Sequence, residues 1–180
     1  MLRFFILFLV ILITLFAVEL TPPVQSAFVM PWTEALVHIS VALITLFDSH
    51  VAIFGNILQS TTNGFALSIR AGCNGVEAAL ILIAAMLAFP APWKHRVIGI
   101  LAGLTAVQLL NIVRVISLFY LGQWSMKAFE WAHFYLWQAL IMLDVLIVWL
   151  IWIRSLPQAF PAIPPPAASV NAGAQGAPAR

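Results

Sequence analysis

Long apolar runs separated by short polar or proline-containing connections dominate this chain. The clearest run from Phe4 to Val18, Val76 to Trp93, Val97 to Leu121 and Phe134 to Ile153. A helix that crosses a bilayer needs about 20 mostly apolar residues. The pattern therefore predicts an all-α integral membrane protein, a bundle of about four transmembrane helices. Ala35 to Phe47 is a shorter apolar stretch between Glu34 and Asp48, and it fits an interfacial or re-entrant amphipathic helix, with a fifth crossing left open. Phe65, Leu67 and Ile69 alternate with Ala66, Ser68 and Arg70 behind the turn-like Ser60-Thr61-Thr62-Asn63-Gly64, which predicts a small hairpin with Val51 to Phe54 on the outer side.

These elements divide the chain into a signal-anchor helix (1–20), an external or interfacial segment (21–72), a three-helix membrane core (73–154) and a tail (155–180). The first helix reads as an anchor because Gln25-Ser26-Ala27 makes a poor cleavage site. From Pro157 onward the chain holds six of its 11 prolines and much alanine, which predicts a disordered cytoplasmic tail.

Composition agrees with the pattern. Of 180 residues, 63% are hydrophobic and 8% charged, against about 25% charged in an average soluble domain. The eight Lys and Arg form no stripe, so nucleic-acid binding is excluded. Their placement sets the orientation. The tightest cluster, Lys94-His95-Arg96, belongs on the cytoplasmic side. Threading from it puts Arg3 and Arg154 on that side too, and Arg70 and Lys127 on the other. If Ala35 to Phe47 also crossed, the N-terminus would move outside, but everything after Ser49 would keep its side.

Three polar side chains then fall near the outer face from three different helices. Cys73, the only cysteine, lies in Gly72-Cys73-Asn74-Gly75-Val76-Glu77, just before a helix. Asn74 is placed as N-cap and Glu77 as the back-reaching acid of a capping box. A thiol at a helix N-terminus is favoured as thiolate, whereas a lone cysteine elsewhere packs as a small hydrophobe. Arg114 sits about 26 Å along the third long run, one turn after Asn111 and two after Gln108. It either faces the bundle interior with a partner or snorkels to the headgroups. His133 opens the last run among Trp131, Tyr135 and Trp137, as an aromatic-belt residue or as a base. Together the three suit acyl transfer: His133 takes the thiol proton, and Arg114 stabilises the thiolate or an oxyanion. Asp144, mid-span and on nearly the face of His133, is a polar clasp that pairs with Arg114 or with the Gln108 and Asn111 amides. No metal or organic cofactor is implied.

At these residues the chain resembles the exosortases and archaeosortases, most closely the short exosortase H group. The likeness rests on Gly72-Cys73-Asn74-Gly75-Val76-Glu77, on Asn111-Ile112-Val113-Arg114-Val115 and on His133, and it runs from about Trp32 to Ile153. It implies a multi-pass cysteine peptidase or transpeptidase of the bacterial inner membrane whose site faces the periplasm, with Cys73, Arg114 and His133 as the catalytic set. The implied substrates are secreted proteins with a C-terminal motif of Ile-Pro-Thr-Leu type, a hydrophobic helix and a basic cluster. Many exosortases are larger; this chain carries only the core, which leaves hydrolysis and transfer to an acceptor both open. A different class of reading is a non-catalytic membrane scaffold built on a buried Arg114–Asp144 pair.

Overall fold

The computed structural model describes residues 2–156, so the Pro/Ala tail lies outside the described residues. Five helical segments and a small sheet follow in order: α1 (Leu2–Glu19), α2 (Pro22–Ile44), β1 (Val51–Phe54), β2 (Ile57–Ser60), β3 (Ala66–Ser68), α3 (Val76–Ala88), α4 (Trp93–Trp124) and α5 (Met126–Ser155). Four of them, α1, α2, α4 and α5, are long and apolar enough to cross a membrane.

The set of four differs from the sequence expectation at two places. The run from Val76 stops as a helix at Ala88 and does not continue to Trp93. Phe89 is extended, as the residue before a proline is steered to be, and Pro90 and Pro92 follow. At 13 residues α3 is about 20 Å long, short of a hydrocarbon core of about 30 Å. The apolar stretch at 35–47 belongs instead to a helix that starts at Pro22, with prolines in its first turn where their missing N–H costs nothing. A π-helical turn over Gln25–Val29 precedes Pro31, whose ring would meet the carbonyl of residue 27 in a straight α-helix.

The sheet also departs from expectation. Val51–Phe54 pairs with β2, and β2 in turn pairs with β3, in the antiparallel order β1-β2-β3. The expected direct pairing of the first and last strands is therefore wrong, because Ile57–Ser60 lies between them. The expected phase is right: Leu67 and Ile69 are buried, while Ala66, Ser68 and Arg70 are exposed.

Two cores organise the molecule. At the sheet end, Leu58, Leu67 and Ile69 pack with Leu36, Val37, Val41 and Ile44 of α2, Val115, Leu118 and Phe119 of α4, and Ala132 and Trp137 of α5. Toward the opposite end, Ala78, Leu82 and Met86 of α3 pack with Val107, Ile141, Val145 and Trp152. The Trp152 indole lies against Gly99 and donates to the His95 carbonyl at 3.0 Å. Helix α1 leans on α3, antiparallel to it, with Phe4 against Phe89 and Trp149. Open sheet edges are not stable in hydrocarbon, so the sheet, and the half of α2 packed on it, sit at or beyond one membrane boundary. Helix α4, at 32 residues about 48 Å long, spans both levels and ties them together.

Candidate functional site

Between β3 and α3 the chain makes a tight loop, and every turn of it is pinned. The Cys73 N–H donates to the Arg70 carbonyl at 2.9 Å. Asn74, fully buried, donates through Nδ2 to Thr33 Oγ1 at 3.0 Å and accepts from the Val76 N–H at 3.1 Å. Its carbonyl accepts from the Trp32 indole at 3.4 Å. The Gly75 carbonyl accepts from Gln108 Nε2 at 3.3 Å. These contacts tie the loop to α2 on one side and α4 on the other. Irregular backbone at membrane depth is tolerated only where protein covers it, and Asn74 and Gly75 are buried.

The expected capping box does not form. The N-cap is Gly75, in the left-handed region at φ +75°, and not Asn74. That extra turn residue carries Glu77 past its expected target, so its carboxylate accepts from the Gly72 N–H, which it holds in a second left-handed turn at φ +86°. Asn74 and Glu77 thus shape the Cys73 loop from its two sides.

Cys73, Arg114 and His133 meet. Arg114, 4% exposed, points Nη2 at Cys73 Sγ at 3.6 Å. His133 brings Nε2 to 4.0 Å from the same sulfur. The imidazole is stacked on Phe129 with centroids 5.6 Å apart and planes at 5°, and Phe134 meets it edge-on at 4.9 Å. His133 lies in a π-helical turn, Ala132–Leu136, where the Trp137 N–H bonds back to the Ala132 carbonyl. Leu67 and Ser68 of β3, the adjoining Ile69, and Val115 and Leu118 of α4 complete a small cavity around the three groups. Guanidinium and imidazole on one sulfur place a cation and a proton carrier beside it.

Asp144 stands apart. Eleven residues past His133 it is about 16 Å further along α5, and the extra residue of the π turn rotates it by roughly 100° from the phase that a regular helix gives. It does not pair with Arg114: among the described residues the one salt bridge joins His50 to Asp48 at 3.3 Å. Nor does it reach the Gln108 or Asn111 amides. Among the described residues, Asp144 Oδ2, Gln108 Oε1 and both amide atoms of the fully buried Asn111 have no hydrogen-bond partner. The expected clasp is corrected on this point, and the scaffold reading loses the pair it was built on.

Sequence reasoning missed Thr33 and Phe129 as supports. Phe129 precedes His133 by four residues on a helix, a spacing that puts two rings on one face. Thr33 carried no such signal, because its partner lies 41 positions away. Among the described residues no group of three or more His, Cys, Asp or Glu is placed to hold a metal ion.

No curated protein and no solved structure matches the chain. A family model of transmembrane exosortases does, over residues 2–152. The match takes in all three elements that deliver Cys73, Arg114 and His133 to one point of a multi-pass helical bundle, and it covers far more than half of the chain, which thereby belongs to the transmembrane exosortase family.

Proposed function

We propose that the protein is a cysteine peptidase or transpeptidase of the bacterial inner membrane that cleaves a C-terminal sorting signal of secreted proteins at the periplasmic face. The observation that supports this most directly is the convergence on Cys73 Sγ of Arg114 Nη2 at 3.6 Å and His133 Nε2 at 4.0 Å, from separate elements. The thiol proton passes to His133, and the sulfur adds to the scissile carbonyl. Arg114, freed from the sulfur as its charge moves away, holds the oxyanion. Collapse of the tetrahedral intermediate breaks the C–N bond, the leaving amine takes the proton from His133, and a thioester remains on Cys73. Water or an acceptor amine then attacks that thioester, with His133 removing its proton; the C–S bond breaks, and the departing Cys73 sulfur takes the proton back from His133.

The substrate would present a motif of Ile-Pro-Thr-Leu type, followed by a hydrophobic helix and a basic cluster that align it with the bundle. The test is co-expression with a tagged protein of that design, comparing wild type with Cys73→Ser at equal membrane levels. Loss of the tail only with Cys73 intact is the expected result. An identical substrate mass with both enzymes, over several such substrates, would overturn the reading.

A further inference from the structure

Strand β3 is an edge strand of the sheet and forms a wall of the cavity that holds Cys73. Its ladder to β2 shows which main-chain groups are free. The Ser60 N–H donates to the Phe65 carbonyl at 2.8 Å, and the Ile69 N–H to the Asn56 carbonyl at 2.9 Å. In an antiparallel pair hydrogen-bonded positions alternate with non-bonded ones. Phe65, Leu67 and Ile69 therefore turn their main-chain groups toward β2. Ala66 and Ser68, opposite Gln59 and Ile57, turn theirs the other way. Among the described residues no backbone hydrogen bond outside the ladder uses Ala66 or Ser68, and both residues are exposed.

We propose that this edge is the docking rail for the extended part of the substrate, which adds to the sheet as a fourth strand beside β3. The inference rests on the peptidase reading of the Cys73 site. Two N–H donors and two carbonyl acceptors, repeating about every 6.8 Å, are the complement of another extended main chain. A lipid phosphate offers acceptors alone and leaves the carbonyls unmet. Ser68 lines the same cavity as Cys73, Arg114 and His133. A strand held at Ser68 is thus delivered along the cavity wall to the thiol, and the side chains of alternate substrate residues turn toward the Val115 and Leu118 floor. Main-chain pairing fixes the register of the scissile bond, while the floor reads the motif.

Proline makes the test selective. The N–H groups of Ala66 and Ser68 do not serve the ladder to β2, so Ser68→Pro removes one rail donor at an edge position where proline is tolerated. Ala66→Pro repeats the experiment one rail position away. Each change is made in the wild type, to follow processing, and in Cys73→Ser, to follow co-purification of the tagged substrate. Membrane level and melting midpoint establish that each variant is folded.

The expected result is a loss of tenfold or more in both capture and processing for a folded Ser68→Pro or Ala66→Pro. Capture and processing unchanged in both folded proline variants would overturn the rail. So would loss of processing with full capture, or no capture by Cys73→Ser at all. Conversion of a dimer to a monomer by Ser68→Pro, with processing intact, would assign the edge to a second copy of the chain and overturn it too. Capture that depends on the edge, without any cleavage in the wild type, would uphold the rail and remove the peptidase reading.

Discussion

Gly75 carries two constraints at once. Its φ of +75° lies in the left-handed region, and a Cβ built there would come within 3.0 Å of the Gln108 amide and 3.1 Å of Asn111 Nδ2. Gly75→Ala is therefore expected to lower stability by about 1–2 kcal/mol from the backbone alone, and to push Gln108 off the Gly75 carbonyl. A melting midpoint in detergent equal to the parent's would contradict this. The side chains of the site were legible one by one, because a thiol, a guanidinium and an imidazole stand out in apolar runs. The capping of their loop was not. Which N–H Glu77 reaches depends on the hand of Gly75, and a glycine in a sequence states only that either hand is allowed. Asn74 shows the same limit, since its role is fixed by Thr33 and Trp32 across the fold.

At the scale of elements, the π turn over Ala132–Leu136 determines where His133 points. Such turns hold one more residue than a regular α turn. Inserting one alanine after the exposed Tyr135 adds a residue that this turn does not absorb, and should rotate the two halves of α5 by roughly 100° relative to each other. The lower half is anchored by Ile141, Val145 and Trp152 in the second core, so the change falls on His133. The expected outcome is a protein that inserts at the parent's level, with processing lost and His133 no longer near the thiol. Processing at more than half the parent rate would count against the phase of α5 as what directs His133. Helix existence was legible from apolar runs throughout, whereas helix ends were not. The run to Trp93 broke at Phe89, where Pro90 decides the backbone, and the run from Ala35 extended back to Pro22, where a π turn absorbs Pro31. Strand β2 escaped notice because four residues, one of them Gln59, make too short a pattern to stand out, although Gly55-Asn56 marks the turn before it.

For the whole molecule, orientation is the quantity that charge placement predicts. With Lys94 and Arg96 on the cytoplasmic side, Cys73 opens to the other, and as the only cysteine it gives an unambiguous signal. A membrane-impermeant maleimide is expected to label right-side-out vesicles and to spare inverted ones, and the opposite result would reverse the threading. The sequence by itself determined that the chain lives in a bilayer, roughly where its helices run, and that Cys73, Arg114 and His133 lie near one level. Those are consequences of composition and of a fixed rise per residue, which need no knowledge of neighbours. Only the tertiary structure decided that the three side chains touch one sulfur-centred cavity while Asp144 does not. It alone set α2 and the sheet over α4 and left the edge of β3 unpaired beside the thiol. Those outcomes depend on the phase of each helix about its axis. A single left-handed glycine or one extra residue in a turn resets that phase, and only the packing of the other elements shows where it settles.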